Sequence, residues 1–190
     1  TVAAAILLAG CGSNARNNAS SLAELDTLYA PSYASRFEIY KYGDKGSSIL
    51  NVKNPWQGAE DVNKYVFLAR DGEKAPEWLD AVTIDIPIKS AVCMSSSYVA
   101  FMDALGADSV IKGVSGAGFI LTPSVAKRIN EGTVADVGYD KGINYELLLT
   151  LKPDVIFIYG IAGENSAITD KLKELGIKSV YIGEYLEESP

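Results

Sequence analysis

The sequence has no histidine, so the commonest protein metal ligand and the commonest general acid–base are missing from all 190 residues. It has two cysteines, Cys11 and Cys93, too few to build a zinc site. Cys11 follows small residues and Cys93 lies inside an apolar strand pattern, and settings so different do not predict a disulfide. Positive charge is also scarce: 17 Lys and Arg stand against 24 Asp and Glu, a net charge of −7. A protein that grips a phosphate backbone carries a basic stripe, so nucleic acid is not an expected partner. No Gly-Lys-Ser/Thr phosphate loop is present. Gly116-Ala117-Gly118 lacks the third glycine of a dinucleotide fingerprint, and Gly113–Ala117 lacks the last glycine of a nucleophile elbow. The acidic residues are scattered, with no cluster of metal-binding spacing. Neither a cofactor nor a resident metal is expected.

What is there begins with ordinary globular composition, 48% apolar and 22% charged. Val2 through Ala9 is unbroken apolar sequence, far short of the roughly 20 residues of a membrane-spanning helix but of the length of a signal-peptide core. Leu8-Ala9-Gly10-Cys11 follows, and it resembles the bacterial lipobox. A peptidase that must hold the backbone closely before the cut needs small side chains there, and the thiol supplies the nucleophile for lipid attachment. Residues 1–11 are therefore expected to be a partial lipoprotein signal peptide with Cys11 as lipidation site. Residues 12–35, rich in Asn, Ser and Ala, are expected to be a tether. The chain is expected to be a piece of a longer protein at both ends.

Further along, two β-rich stretches flank Gly43-Asp44-Lys45-Gly46, a hairpin signal, and Tyr65–Ala69 makes a third strand. These belong to a β prefix over 36–88. From about Lys89 strands alternate with helices. Strands are predicted at Ala91–Met94, Val110–Val114, Val134–Val137, Asp154–Tyr159 and Ser179–Ile182. The helix after the first of them should bury Tyr98, Phe101, Met102 and Leu105 and stop at Gly106. Pro123 opens the next helix. Asn144 caps one that carries Leu147, Leu148 and Leu151, and Asn165 or Ser166 caps the last, with Ile168, Leu172 and Leu175 on one face. The pattern predicts an α/β fold, a three-layer lobe over 89–190 with a mostly parallel sheet.

Ligands of such sheets sit beyond the carboxyl ends of the strands. Four loops fall there: Ser95–Ser97, Ser115–Phe119, Tyr139–Gly142 and Tyr159–Gly163. Glycine lets a ligand approach the backbone, and tyrosine offers a flat face with one hydroxyl. The residues alone leave open whether these glycines and tyrosines meet a ligand or only turn and pack the chain. Cys93 is expected to be an inert buried thiol. Glu146, opposite the leucine face of its helix, should be exposed and in the first turn, where an acid favours the helix dipole.

Lys89–Ala107, running on to Ile111-Lys112-Gly113-Val114-Ser115, resembles the opening strand–helix–strand of the binding proteins for iron-siderophores, haem and vitamin B12. Gly142–Tyr159, with its Glu-bearing helix and Leu151-Lys152-Pro153-Asp154, resembles the same family's second signature. The resemblance implies the amino-terminal lobe of a two-lobed protein, with the second lobe beyond this chain and the ligand held between lobes. It implies a non-enzymatic, lipid-anchored receptor of the periplasm or cell envelope that delivers an iron chelate, haem or corrinoid to an ABC permease. Ser96, Ser115, Phe119, Tyr139, Asp140 and Tyr159 are then the ligand-binding candidates, and Glu146 becomes the permease-docking acid. The sequence departs from the family in Ser95-Ser96-Ser97, where a Ser-Pro-Ser type turn is usual, and in having Arg128 as the one arginine of its later half. An anionic catecholate chelate needs cationic partners, so a neutral chelate or corrinoid is the easier ligand. The alternative is an exported lipoprotein enzyme on a nucleotide-binding-like α/β fold.

Overall fold

Gly43 through Gly46 turn the chain back on itself, and β2 (Phe37–Tyr42) pairs antiparallel with β3 (Ser47–Lys53), Tyr42 opposite Ser47. This is the predicted hairpin. The computed structural model describes residues 19–139, 142–161 and 163–188. The expected signal segment with Cys11, and Asp140 of the ligand candidates, lie outside them. β4 (Asn63–Ala69) adds antiparallel to β3. Two strands that the sequence did not announce complete a five-stranded sheet of order β1-β2-β3-β4-β5. They are β1 (Thr27–Tyr29) beside β2 and β5 (Ala81–Asp85) parallel to β4.

Alternation along these strands gives the sheet two apolar faces. One carries Tyr42, Ile49, Phe67 and Ala69, and the other Leu50, Val66, Leu68 and Ile84. The first face would meet water unless something covered it. Leu22 and Leu25 do so from the chain's earlier part, with Leu79 from the β4–β5 connection. The expectation of a tether over 12–35 therefore does not describe residues 19–29: Ala19 accepts a hydrogen bond from the Trp78 indole, Leu25 is buried, and β1 joins the sheet. Burying Leu25 is worth roughly 1.5–3 kcal/mol, and the partly buried Leu22 adds to it, which helps order a segment whose composition reads as linker.

The second face packs on a second sheet. After β5 the chain runs through β6 (Ala91–Cys93), α1 (Ser96–Ala104), β7 (Ile111–Val114), α2 (Pro123–Asn130) and β8 (Ala135–Asp136). It continues through α3 (Tyr145–Leu151), β9 (Val155–Ile158), α4 (Ser166–Glu174) and β10 (Ser179–Tyr181). All five strands are parallel, in the order β10-β9-β6-β7-β8. Cys93 faces Tyr98 and Val99 of α1 and Val125 of α2, while its neighbours Val92 and Met94 face Leu148 of α3 and Leu172 of α4. That is the predicted three-layer α/β lobe. Val66 and Ile84 of the first sheet share a cluster with Ala91, Val155 and Val180 of the second, so the two sheets have a common core.

The helix starts and stops follow the predicted signals, but α1 is rolled. Tyr98 and Val99 are its buried residues, whereas Phe101 and Leu105, expected inside, are 46% and 78% exposed. The buried Tyr98 hydroxyl donates to the carbonyls of Ile158 and Ile182, 3.2 and 2.6 Å away, and this anchor sets the helix roll. Burial pushes that phenol well above its ordinary range, so it stays a donor.

Asp154 shows what the Leu-Lys-Pro-Asp run does. Lys152 ends α3 in a left-handed conformation, and the Asp154 carboxylate then accepts the backbone N–H groups of Lys89 and Ser90 at 2.7 and 2.9 Å. The Asp154 N–H in turn donates to Ser90 Oγ. The motif thus ties the start of β9 to the start of β6, at the end of the sheet away from the candidate loops.

Candidate ligand-binding site

Strand order reverses between β6 and β9, where the chain crosses from one side of the sheet to the other. Loops leaving those two strands diverge, and a crevice opens beyond their carboxyl ends. A hollow of ≈ 410 Å³ lies there, floored by Met94 after β6 and by Ile158 and Tyr159 at the end of β9. Ser115 after β7, Tyr139 and Ile143 after β8, and Ile161, Gly163, Glu164, Asn165 and Ile168 after β9 supply its walls. Another hollow, ≈ 480 Å³, runs alongside β10 between α4 and strands β4 and β5, not beyond the strand ends.

Of the predicted ligand residues, the first hollow brings Ser115, Tyr139 and Tyr159 together. Ser115 is buried, its N–H bonded to Cys93 O at 3.0 Å, so its place is fixed by the sheet itself. Tyr159 is half-buried and packs against the apolar clusters on both sides of the sheet, as befits a residue at the crossover. Phe119 does not line the hollow. It stands 66% exposed at its rim, 6.1 Å from the ring of Tyr139, which is 58% exposed. Ser96 does not line it either: it is an exposed first-turn residue of α1, whose cap is Ser95, with Oγ accepting from Ser97 N–H at 3.2 Å.

Two features the sequence reading missed shape these loops. Asp136, the last residue of β8, accepts backbone N–H groups from Gly116, Ala117 and Gly138. A lone acid at a strand end followed two residues later by glycine was the available signal. Trp56, from the β3–β4 connection, is buried beneath the loop after β9, 5.2 Å from the Tyr181 ring, and Gln57 N–H donates to Gly160 O. A Cβ at position 160 would collide with Trp56 Cβ and the Gly163 carbonyl, so only glycine fits there. The prefix sheet therefore supports the loop that carries Tyr159.

Chemically reactive groups are held away from this crevice or silenced. The Cys93 thiol is buried among α1 and α2 residues, and desolvation pushes its pKa up to about 12. Glu164 is the charged residue among the described lining, 3.4 Å from Lys64 Nζ. Glu146 sits in the first turn of α3, exposed, while Leu148 behind it is buried. Among the described residues no group of three His, Cys, Asp or Glu could hold a metal ion. No helix among them is long and apolar enough to cross a membrane.

Fold and crevice together define the class: a three-layer α/β lobe with a tyrosine-bearing hollow of mixed polar and apolar lining at its topological switch point. No family model matches the chain. An uncharacterised lipoprotein of Methanocaldococcus jannaschii is 30% identical over 212 residues, covering 97% of this chain and 50% of that protein. A second from the same organism is 30% identical over 148 residues, covering 76% of this chain and 36% of that protein. The chain thus spans half or less of the length of these curated relatives. Among solved structures it is similar to the periplasmic vitamin B12 binding protein of Vibrio cholerae, at 24% identity and TM-score 0.38 over 50% of this chain and 34% of that one. A periplasmic haem binding protein from Pseudomonas aeruginosa gives 22% and 0.40 over 50% and 32%. The petrobactin-binding protein of Bacillus subtilis gives 22% and 0.38 over 50% and 31%.

Proposed function

We propose that this chain is one lobe of an exported, lipid-anchored solute-binding protein that captures an iron-siderophore, haem or cobalamin-type ligand and hands it to the permease of an ABC importer. The observation that carries this reading is the hollow at the switch point, where Ser115, Tyr139 and Tyr159 converge from three separate loops. A volume of ≈ 410 Å³ suits half of a site that a second lobe closes, and its lining sets Met94 and isoleucines among the hydroxyls of Ser115, Tyr139 and Tyr159. Residues 89–107 with 111–115, and 142–159, whose resemblance to such binding proteins lies in their order of motifs, contribute Met94, Ser115, Ile143, Ile158 and Tyr159 to it. Phe119 is placed to extend the aromatic surface at the rim, and Asp140 belongs to the same loop as Tyr139. The lipoprotein names of the two curated relatives support export to the cell envelope, with Cys11 as the lipid-bearing residue. Glu146 is the acid that meets an arginine of the permease. The protein binds and releases its ligand unchanged; it is not an enzyme.

The test is calorimetric titration of the full-length protein with cyanocobalamin, hemin and ferric siderophores of neutral and anionic type. Saturable one-to-one binding to one class is expected. Absence of binding to every class overturns the proposal.

A further inference from the structure

The loop after β7 carries Ser115 and Phe119, and the loop after β8 carries Tyr139. Both are tied to one carboxylate. Gly116 N–H and Gly138 N–H donate to Asp136 Oδ1 at 3.1 and 3.0 Å, and Ala117 N–H donates to Oδ2 at 2.9 Å. Gly116 is left-handed, at φ 69°, which turns its N–H and the next one to the same side. Successive amides arranged this way form a concave donor cradle of the kind that takes a phosphate or carboxylate from a ligand. Here the protein's own anion fills it, and two of its donors, Gly116 and Gly138, are the chain neighbours of Ser115 and Tyr139.

We propose that Asp136 determines ligand specificity by occupying this anion cradle beside the hollow, so that the site admits a neutral or cationic ligand and turns away one presenting an anionic group there. The inference rests on the ligand-binding role proposed above. Glu164, the charged residue among the described lining, is an acid paired with Lys64 Nζ at 3.4 Å, so the described lining contributes no cation of its own. An anionic chelate would therefore find the donors it needs already taken. A neutral ligand uses what is left exposed, the Phe119 and Tyr139 rings and the Tyr159 face. The carboxylate also has a positioning effect, because both aromatic-bearing loops hang on it.

The experiment compares the full-length wild type with Asp136→Ala, which empties the cradle, and Asp136→Asn, which keeps its size and one acceptor oxygen. Backbone amide signals of Gly116, Ala117 and Gly138 read the cradle without any ligand. In Asp136→Ala, hydrogen exchange at these amides is expected to accelerate about tenfold or more, the scale of one lost charge-assisted hydrogen bond. Inorganic phosphate should move their resonances in Asp136→Ala and leave them in place in the wild type. Wild-type protection in Asp136→Ala, or an equal response to phosphate in the wild type, overturns the cradle. Selectivity is read by titrating cyanocobalamin, neutral overall, against an anionic ferric tris-catecholate. The wild type should favour the neutral probe, and the ratio should move about tenfold towards the anion in Asp136→Ala, with Asp136→Asn between and both variants folded at a lowered melting temperature. If Asp136→Ala fails to fold, Asp136→Asn carries both arms with smaller expected changes. A wild type that prefers the anionic probe overturns the specificity role while leaving the receptor reading intact. A wild type that binds neither probe counts against the receptor reading, and the phosphate arm then decides the cradle by itself.

Discussion

The two sheets differ in how they are joined. In the first, each strand lies beside its sequence neighbour, in the order β1-β2-β3-β4-β5, and most pairs are antiparallel. In the second, every strand is parallel, every connection crosses over with a helix, and the order reverses once. Parallel strands send all their carboxyl ends to one edge, so five loops converge there and a crevice opens where the order reverses. Antiparallel neighbours distribute their turns to both edges and converge nowhere. The same chain therefore contains a platform and a crevice-bearing sheet, the receptor half of the proposed function, and topology separates the two. The shared cluster of Val66, Ile84, Val155 and Val180 makes them one folding unit.

That unity is broken most severely at Phe67, which is fully buried on the outer face of the platform and meets Tyr42 edge to face at 5.3 Å. Phe67→Ala should cost about 3–5 kcal/mol. The two tryptophans sit one in each region, Trp78 against Ala19 and Trp56 in the receptor core, so each can be followed in a variant lacking the other. Both should report the same lowered urea midpoint. Two midpoints would mean that the sheets unfold separately.

A smaller loss is expected at Asp154, the clamp between β6 and β9. Asp154→Asn weakens bonds from two backbone N–H groups and should cost about 1–3 kcal/mol at neutral pH. The Lys89 N–H is the largest cause holding this carboxyl below its ordinary range, with Ser90 adding to it and partial burial opposing it. A depressed folded-state pKa stabilises the fold above the unfolded value, about 3.9, and the benefit disappears as pH falls through the folded value. The gap between wild-type and variant urea midpoints should therefore be full at pH 7 and shrink below about pH 4. A gap independent of pH would show that the carboxylate charge contributes nothing.

Within the receptor region the effects move from stability to binding. Tyr159→Ala should weaken ligand affinity several-fold, about 1 kcal/mol, with a small change in melting temperature. An unaltered titration would remove Tyr159 from the ligand surface. The smallest effect on the isolated protein belongs to Glu146→Gln. A first-turn acid contributes about 0.3–1 kcal/mol through the helix dipole. Ligand affinity should stay unchanged while cellular uptake falls sharply, and normal uptake at equal protein level would exclude the docking role.

The receptor half was legible because its signals are local and strong: Asn144 before three leucines, Pro123 opening α2, and an apolar run from Val155 to Ile158. The platform was legible only at its hairpin, where Gly43 and Gly46 mark the turn. β1 is three residues long with all three side chains exposed, so it has no alternation to detect. β5 alternates, but it is five residues at a sheet edge beside Pro87, and its partner is parallel. The roll of α1 depended on a hydrogen bond from Tyr98 to strands some sixty residues away or more, which helical periodicity does not contain. Asp136 was passed over because its importance lies in three backbone donors, none of which leaves a mark in side-chain identity.

The contact between Gly160 and Trp56 limits how the site can be varied. With Trp56 Cβ and the Gly163 carbonyl against its backbone, position 160 tolerates no side chain. Any change to the loop that lines the hollow would have to spare this residue and draw on exposed positions such as Ile161. A fragment cut at the start of β6 would lose Trp56 altogether, so the grafting unit for engineering is the platform and the receptor together.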